Sequence, residues 1–307
     1  MKKLLSTKEV AQYLGVNEKM VYTLISEKNL PATKATGKWL FPAHLIEQWV
    51  ESRTMNFPET VQHHSTMEKT LIIAGSNDML IDFAMKLYMQ ENEGAYAAFC
   101  NLGSLGGIRA VHNGAAHIAT SHLMDRDESD YNFSFTENEM QEPPAVVNFS
   151  FREQGYIIAK GNPKNIKGTK DIASGKFTVV NRTAGTGTRL LFDAELAAHN
   201  AEGKTIPGYD NCVARHIDVG FEILNGNADA GLGIKAVAKA LHLDFIPIQW
   251  ERYDLIIPKS RYFDKNIQAF ISLLRDPRII AHAEKLGGYD LKRSASVIYP
   301  GEGGTPD

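Results

Sequence analysis

The pattern that most constrains the fold is an alternation of short apolar runs with helix-length segments, which repeats from residue 70 onward. The runs 71–74, 97–100, 117–120 and 177–180 have the length and composition of strands, and amphipathic segments follow them. Strands that alternate with helices predict an α/β fold with mostly parallel sheets. The Asn-Gly helix end at 113–114 recurs at 225–226, which favours two similar lobes with a cleft between them.

We therefore predict a two-lobed body over residues 69–307. Lobe 1 is expected to comprise residues 69–150 and 250–290, and lobe 2 residues 155–248. The polar stretch 54–68, which contains Pro58 and has little apolar periodicity, is predicted to be a linker.

The loops that follow the strands carry residue types that suit an anion. Open α/β sheets bind ligands at the carboxyl ends of their strands. Glycine there lets the backbone come close, hydroxyls donate hydrogen bonds, and a helix start supplies free N–H groups and a positive dipole end. We predict a small-anion site, with these candidate residues: Ser76, Asn77, Ser104, Gly106, Gly107, Ser121, Thr186, Gly187, Thr188 and Arg189.

Two charged residues near these loops have competing roles. Arg189 either supports the charge of the anion or pairs with Asp193, four residues further along the helix, and both roles remain open. Asp78 would repel an anion, so we expect it to cap the helix that follows.

The body lacks the sequence motifs of common enzymes. Gly185-Thr186-Gly187 begins like a dinucleotide fingerprint, but Leu190 stands where the third glycine is needed. The sequence contains no P-loop, no Gly-x-Ser-x-Gly elbow and no His-Glu-x-x-His. We predict a binding protein with no catalytic residue, no cofactor and no bound free metal cation. The alternative is a dehydratase of small acids, in which His122 or Glu153 would be the acid or base.

Residues 1–53 have the spacing of a helix-turn-helix. Ser6 and Glu9 form a capping box for a first helix, Gly15 ends that helix, and Asn17 can cap a second one. We expect this second helix to point four apolar residues inward: Met20, Val21, Leu24 and Ile25. It would also be the helix that reads DNA.

The remainder of this segment predicts a wing and a third helix. Residues 33–41 alternate like a small hairpin with Gly37 at its tip, and Lys34 and Lys38 are placed for DNA phosphates. A third helix is expected from Pro42. Residues 1–53 carry eight Lys or Arg and five Glu, a net charge of +3, which leaves −6 for the rest of a chain whose net charge is −3. This asymmetry favours a basic DNA-binding head on an acidic body.

Cysteine content and hydropathy indicate a cytoplasmic protein. Cys100 and Cys212 belong to no spaced framework, and we expect two free, buried thiols. The opening Met-Lys-Lys-Leu-Leu begins like a signal peptide, but its apolar run ends at Ser6. No run approaches the roughly 18 apolar residues of a membrane span, so we expect no membrane association.

The head resembles the excisionase and MerR-like winged helix-turn-helix family. The resemblance covers about 50 residues and rests on four features in order: Ser-Thr-Lys-Glu-Val-Ala-Gln-Tyr-Leu-Gly-Val from Ser6, Val21-Tyr22, Leu30-Pro31-Ala32 and Trp39-Leu40-Phe41. It implies that the DNA face lies on or near Asn17, Glu18, Lys19, Tyr22 and Thr23.

Residues 70–290 resemble the periplasmic-binding-protein-like domain that occurs fused to molybdopterin-synthesis proteins and to intracellular regulators. The matching segments are 120–125, 131–132, 152–155, 161–163, 181–182, 185–189, 228–233 and 251–255. The resemblance implies a type II binding fold related to molybdate and tungstate binders, with an oxyanion held by hydroxyls and backbone N–H groups.

Head and body together resemble the tungstate- or molybdate-responsive regulators of anaerobic bacteria. The family often has Ser-Gly-Ser-Gly-Thr-Arg where this chain has Ala-Gly-Thr-Gly-Thr-Arg, so Thr186 keeps a hydroxyl in a cavity of changed size. Molybdate and tungstate both remain open. The resemblance implies a regulator that binds double-stranded DNA; a sensor of sulfate, phosphate or an organic acid is the alternative. One head of about 50 residues buries too little surface for tight specific binding alone, so we expect a homodimer or higher oligomer.

Overall fold

The protein was analysed as a computed structural model, which describes residues 4–34, 37–51, 53–54, 69–125 and 130–301. The chain divides into two compact units, residues 1–62 and 63–307. Apart from Thr54, the predicted linker lies outside the described residues, so its limits stay a prediction.

The first unit is a small helical domain, the head. It consists of β1 (Leu4–Ser6), α1 (Thr7–Leu14), α2 (Glu18–Lys28), β2 (Leu40–Pro42) and α3 (Ala43–Glu51). The two strands pair antiparallel. The buried core draws on all three helices and on β2: Val10, Ala11, Val21, Leu30, Phe41 and Ile46.

The predicted helix signals of the head are confirmed. Ser6 and Glu9 form the capping box, Gly15 ends α1 with a left-handed φ of 67°, and the Asn17 side chain accepts from the Met20 N–H. The inward placement of Met20 was wrong, because its side chain is 46% exposed. The inner stripe of α2 consists of Val21, Leu24 and Ile25. Met20 lies about 100° away from Val21 around the helix.

The second unit, the body, alternates strands and helices. Its strands are β3 (Thr70–Gly75), β4 (Tyr96–Asn101), β5 (Ile118–Ser121), β6 (Ala145–Ile158), β7 (Val179–Arg182), β8 (Cys212–Val213), β9 (Ala230–Ile234), β10 (Asp244–Ile257), β11 (Tyr289–Asp290) and β12 (Val297–Ile298). Its helices are α4 (Met79–Glu91), α5 (Gly103–His112), α6 (Phe133–Glu139), α7 (Thr169–Ala173), α8 (Gly187–Ala198), α9 (His216–Leu224), α10 (Lys235–Ala240), α11 (Lys265–Leu273) and α12 (Pro277–Leu286). Two 3₁₀ turns cover Gly203–Thr205 and Lys259–Arg261.

The strands are ordered β4-β3-β5-β10-β6-β9-β7-β8, with β11 and β12 paired to β6. The four predicted strands are confirmed as β3, β4, β5 and β7, and these pair in parallel within their own lobes. The centre differs from the predicted mostly parallel sheet. There β6 and β10, each 14 residues long, pair antiparallel with one another and with β9 and β5 respectively.

These two long strands join the lobes. The second half of β10 pairs with β5 and with the first half of β6 in lobe 1, and the second half of β6 pairs with β9 in lobe 2. Each lobe has two apolar cores of its own. Those of lobe 1 lie around Leu71 and around Ile108, and those of lobe 2 lie around Tyr156 and around Val219. Residues of β6 and β10 therefore pass through the boundary between the lobes.

Both cysteines are free, as predicted, but their expected burial was wrong. Cys100 and Cys212 are exposed. They lie in β4 and β8, the two outermost strands of the sheet order, where one strand edge has no neighbouring strand among the described residues.

Candidate functional site

The predicted hydroxyl loops meet at the boundary between the lobes, and their side chains are buried. Ser76 follows β3, Ser104 lies in the first turn of α5, and Thr186 caps α8. An ideal Cβ at Gly103 would lie 3.4 Å from Thr186 Cγ2, so the starts of α5 and α8 face each other across the cleft. First-turn N–H groups lack partners inside their own helix, so both starts present donors there.

His122 connects this cleft to the crossing strands. Its Nε2 lies 3.0 Å from Ser76 Oγ and its Nδ1 lies 2.6 Å from Glu251 Oε2. Glu251 of β10 is directly opposite Arg152 of β6. Arg152 Nη2 donates to Glu251 Oε1, and Arg152 Nη1 donates to Asp78 Oδ2 at 3.0 Å.

The positive charge of Arg152 is balanced by carboxylates within this ion-paired group. Asp78 also accepts from the Leu80 N–H at 2.8 Å, which confirms the predicted helix cap. Burial raises the pKa of Glu251, but the charges of Arg152 and His122 outweigh this and hold the pKa at about 2. Glu251 is therefore a carboxylate at neutral pH, and the Arg152 charge has two buried counter-ions.

Arg182 has no carboxylate at hydrogen-bonding distance among the described residues. It ends β7, is 1% exposed, and donates through Nη2 to the Ala214 carbonyl at 2.9 Å. Its Nε and Nη1 have no hydrogen-bond partner among the described residues. Burial, together with the charge of Arg152, lowers the pKa of Arg182 from 12.5 to about 10. Two unused N–H donors on a buried guanidinium can donate to an anion that reaches them.

His216 is a second buried polar residue whose side-chain polar atoms lack hydrogen-bond partners in the described part of the chain. This residue begins α9, is 1% exposed, and neither ring nitrogen has a partner among the described residues. Burial and then the charge of Arg182 hold its pKa well below its usual range. Its ring centroid lies 6.3 Å from that of His122, so the two histidines face each other from opposite lobes.

The cleft is closed in this structure. An ideal Cβ at Gly187 would lie 2.6 Å from His122 Nδ1, a distance that only glycine permits. At the edge, Asn101 of lobe 1 donates to the Ala214 carbonyl of lobe 2 at 2.9 Å, the same carbonyl that Arg182 uses. Two cavities, of about 270 and 800 Å³, lie elsewhere in the body, around His112 and around Lys69.

The predicted hydroxyl groups differ in whether they donate a hydrogen bond to the protein or only accept one. Ser121 donates to Asn132 Oδ1 at 2.6 Å and Thr186 donates to the Thr183 carbonyl at 2.9 Å. Ser104 only accepts, from the His122 N–H at 3.4 Å, and Thr188 only accepts, from Gln154 Nε2 at 3.2 Å. Ser104 and Thr188 therefore keep a hydroxyl hydrogen for which the described residues provide no acceptor.

The other predicted site residues are divided between the cleft and the scaffold. Asn77 has a buried Oδ1 without a partner in the described part of the chain. Gly107 lies against β3, where an added Cβ would meet the Ala74 carbonyl at 2.6 Å, and Gly106 packs on Leu102. Arg189 pairs with Asp193 at 3.0 Å and stacks on Tyr209, so it makes the ion pair that was one of its two predicted roles.

The two candidate acid–base residues of the enzymatic alternative lie in different surroundings. His122 lies in the cleft, whereas Glu153 pairs with Lys235 at 2.8 Å. Among the described residues, no group of three or more His, Cys, Asp or Glu side chains is arranged to hold a metal ion. Nor is any helix in the described ranges both long enough and apolar enough to cross a membrane.

Sequence reasoning missed Arg152, Glu251, Arg182 and His216. Arg182 could have been identified, because it is a charged residue at the end of an apolar strand, directly before the Gly-Thr loop. His216, at a helix start, gave no comparable signal.

On the head, the predicted DNA-binding residues lie on the surface. Asn17 and Lys19 are exposed, Tyr22 is 47% exposed and Thr23 is half-buried, all at the start of α2. Thr33 and Leu40 pair across the predicted hairpin, and Lys34 and Lys38 are exposed beside its tip. Lys34 Nζ lies 4.6 Å from the Trp39 ring centroid.

Residues 85–275 match the PBP superfamily domain. The chain belongs to the PBP superfamily. Residues 4–54 match a helix-turn-helix domain, so this superfamily member carries a DNA-binding type of head before a two-lobed binding body. Both matched domains are binding domains.

Known proteins similar to this PBP superfamily member cover most of its length. The uncharacterized protein YvgK of Bacillus subtilis (strain 168) is 28% identical over 297 residues, covering 94% of this chain and 96% of that protein. A Clostridium perfringens structure, described as a phosphate ABC transporter substrate-binding protein with bound phosphate, superposes with a TM-score of 0.54 at 13% identity, covering 71% of this chain and 97% of that one. A cysteine-to-serine mutant of Corynebacterium glutamicum OxyR, with H₂O₂ bound, has a TM-score of 0.52 at 10% identity and covers 92% of this chain and 89% of its own. These structures share the fold.

Proposed function

We propose that the protein is a ligand-responsive transcriptional regulator, which binds double-stranded DNA through its head and a small oxyanion in the cleft of its body. The head supports a place of action in the cytoplasm, beside the chromosome. The ligand we propose is molybdate or tungstate. Two identical heads on one operator would supply the contact area that a single head of about 50 residues lacks, so we propose a homodimer.

The observation that carries the ligand proposal is Arg182, a buried cation with two donor atoms unused. An anion in contact with Nε and Nη1 would satisfy both donors and compensate the charge. Ser104 and Thr188 each have a hydroxyl hydrogen to give, and α5 and α8 present their first-turn N–H groups.

This donor set favours a small tetrahedral anion. Hydroxyls and backbone N–H groups discriminate by distance and number, and one arginine supplies part of the charge. Each hydrogen bond to a charged ligand contributes about 1.5–3 kcal/mol, so six such bonds are compatible with a Kd near nanomolar after association costs.

The test is a thermal-shift and calorimetric screen of the full chain against molybdate, tungstate, sulfate and phosphate. A ligand that binds only the folded protein raises its melting temperature. Thr188→Val and Ser104→Ala remove the two hydroxyl donors and should each weaken binding about 10- to 100-fold. Thr205→Val, at an exposed position of lobe 2, is the matched control and should bind as the wild type does. If none of the four anions binds, the proposed ligand class is wrong.

The regulatory part is tested separately by DNA binding. Fluorescence anisotropy with DNA from upstream of the gene, with and without the anion found in the screen, should show a change in affinity. Identical DNA affinity in both conditions would contradict a ligand-responsive regulator, even if the anion binds.

A second candidate function is an acid–base enzyme acting on small organic acids. The favouring observation is the chain Ser76–His122–Glu251, which holds a buried imidazole between a hydroxyl and a carboxylate. Turnover of a small hydroxy acid that disappears in His122→Ala, without any effect of oxyanions, would establish this function instead.

A further inference from the structure

The protonation state of His122 determines what Ser76 can offer a ligand. Glu251 is ionised at neutral pH, because the Arg152 guanidinium opposes the effect of burial and holds the pKa of Glu251 below its usual value. An ionised carboxylate only accepts hydrogen bonds, so His122 Nδ1, 2.6 Å away, must carry a hydrogen. In a neutral ring Nε2 is then an acceptor, and Ser76 Oγ, 3.0 Å away, must donate to it.

The neutral state therefore suits a fully ionised oxyanion poorly. The Ser76 hydroxyl hydrogen is directed at His122, so only oxygen lone pairs remain for the cleft. Ser121 and Thr186 likewise donate to protein acceptors, which leaves Ser104 and Thr188 as the hydroxyl donors of the predicted set. Molybdate, tungstate and sulfate carry no hydrogen of their own to donate to Ser76.

We propose that a fully ionised oxyanion enters the cleft together with one proton, which His122 takes up, and that His122 thereby determines specificity. This rests on the anion-binding function proposed above. With both nitrogens protonated, Nδ1 donates to Glu251 and Nε2 donates to Ser76 Oγ. The Ser76 hydroxyl hydrogen then turns to the anion, and the imidazolium adds a positive charge beside it.

The groups around His122 indicate the direction of this coupling. It faces Glu251 of β10, Arg152 of β6, Arg182 of β7, His216 of α9, the ring of Tyr253 and the hydroxyl of Ser76. In the empty cleft, burial and the two arginines lower the pKa of His122, although Glu251 raises it. An anion beside Arg182 opposes the arginine charges, so binding raises this pKa and takes up a proton from solution.

His216 is the competing proton acceptor. It lacks a carboxylate partner, and burial and Arg182 hold its pKa well below the usual range. The Glu251 carboxylate beside Nδ1 stabilises the positive charge of a doubly protonated His122 ring, so the proton should reside on His122.

Calorimetry of the full chain with molybdate, in buffers of different ionisation enthalpy, counts the protons taken up. We expect up to one proton per molybdate near neutral pH, and an association constant that falls by up to about tenfold per pH unit as the pH rises. His122→Gln should bind molybdate more weakly and take up no proton. The matched variant His216→Gln should retain the uptake.

Molybdate binding without proton uptake would overturn this inference and leave the proposed anion sensor intact. Uptake that is lost in His216→Gln but kept in His122→Gln would also overturn it. Absence of both molybdate and tungstate binding in every buffer would overturn the proposed ligand as well. If His122→Gln does not fold, ¹⁵N spectra of the wild-type histidines decide: the His122 ring must change from singly to doubly protonated on adding molybdate, and a neutral ring in the complex refutes the proposal.

Discussion

Two buried arginines in the cleft should respond in opposite ways to the same substitution. Arg152 lies between Asp78 and Glu251, whereas Arg182 has no carboxylate at hydrogen-bonding distance among the described residues. We predict that Arg182→Met leaves the empty protein as stable as the wild type or makes it more stable, and that it largely abolishes anion binding. Arg152→Met, the matched substitution, should destabilise the fold.

The magnitudes follow from the charges that each arginine faces. Lowering the pKa of Arg182 from 12.5 to about 10 corresponds to roughly 3 kcal/mol of unfavourable free energy for its charged form in the empty protein. Methionine removes that cost, and Asn101 still donates to the Ala214 carbonyl. Removing Arg152 instead leaves two buried carboxylates uncompensated, which costs about 3–5 kcal/mol.

Thermal and urea unfolding of both variants, with and without molybdate, measures this contrast. Arg182→Met should melt at or above the wild-type temperature without ligand and should lose the upward shift with ligand. A stability loss in Arg182→Met as large as that in Arg152→Met would show that the Arg182 charge is compensated within the protein, and the argument for an anion site would fail.

Three further predictions concern closure, acid stability and DNA. Gly187→Ala places a Cβ 2.6 Å from His122 Nδ1 and so obstructs closure; calorimetry should show a molybdate Kd at least about tenfold higher, and an unchanged Kd would mean that binding does not need this contact. The pKa of Glu251 is lowered from 4.5 to about 2, so its carboxylate stabilises the fold above about pH 4.5, and roughly 3 kcal/mol is lost as the pH falls towards 2; acid unfolding followed by circular dichroism should lack this component in Glu251→Gln, and an identical acid profile would count against the buried ion pair. Lys38→Ala should weaken binding to all DNA sequences and reduce the salt slope by about 1, whereas Tyr22→Ala should change sequence preference; anisotropy titrations at several salt concentrations separate the two, and an unchanged salt slope in Lys38→Ala would remove the wing from the DNA face.

Local signals in the sequence predicted the peripheral parts of the body better than its centre. The parallel strands and their hydroxyl loops follow from short-range patterns, as does the Asp78 cap. The central strand β6 also carries a local pattern, since apolar and polar residues alternate strictly from Val147 to Arg152. Such alternation ordinarily predicts one solvent-facing side, yet both sides of β6 are buried. Its polar side is buried because Arg152 meets Glu251, 99 residues away, and that pairing is invisible in a local sequence window.

The same long-range arrangement explains how an anion could act as a signal. In a closed and empty cleft, the charged form of Arg182 has an unfavourable free energy of roughly 3 kcal/mol. This cost favours an open cleft, where water reaches the guanidinium. An anion removes that cost only in the closed state and adds hydrogen bonds from Ser104 and Thr188, each contributing about 1.5–3 kcal/mol. Shifting an equilibrium from 1:99 to 99:1 requires a differential of about 5.5 kcal/mol, which these contributions together reach. Asn101 and Arg182 share the Ala214 carbonyl, so the residue proposed to bind the anion also takes part in the contact that joins the lobes. Under the proposed function, closure is coupled to anion charge because no carboxylate among the described residues is hydrogen-bonded to Arg182. A carboxylate placed beside Arg182 would then be expected to close the cleft permanently.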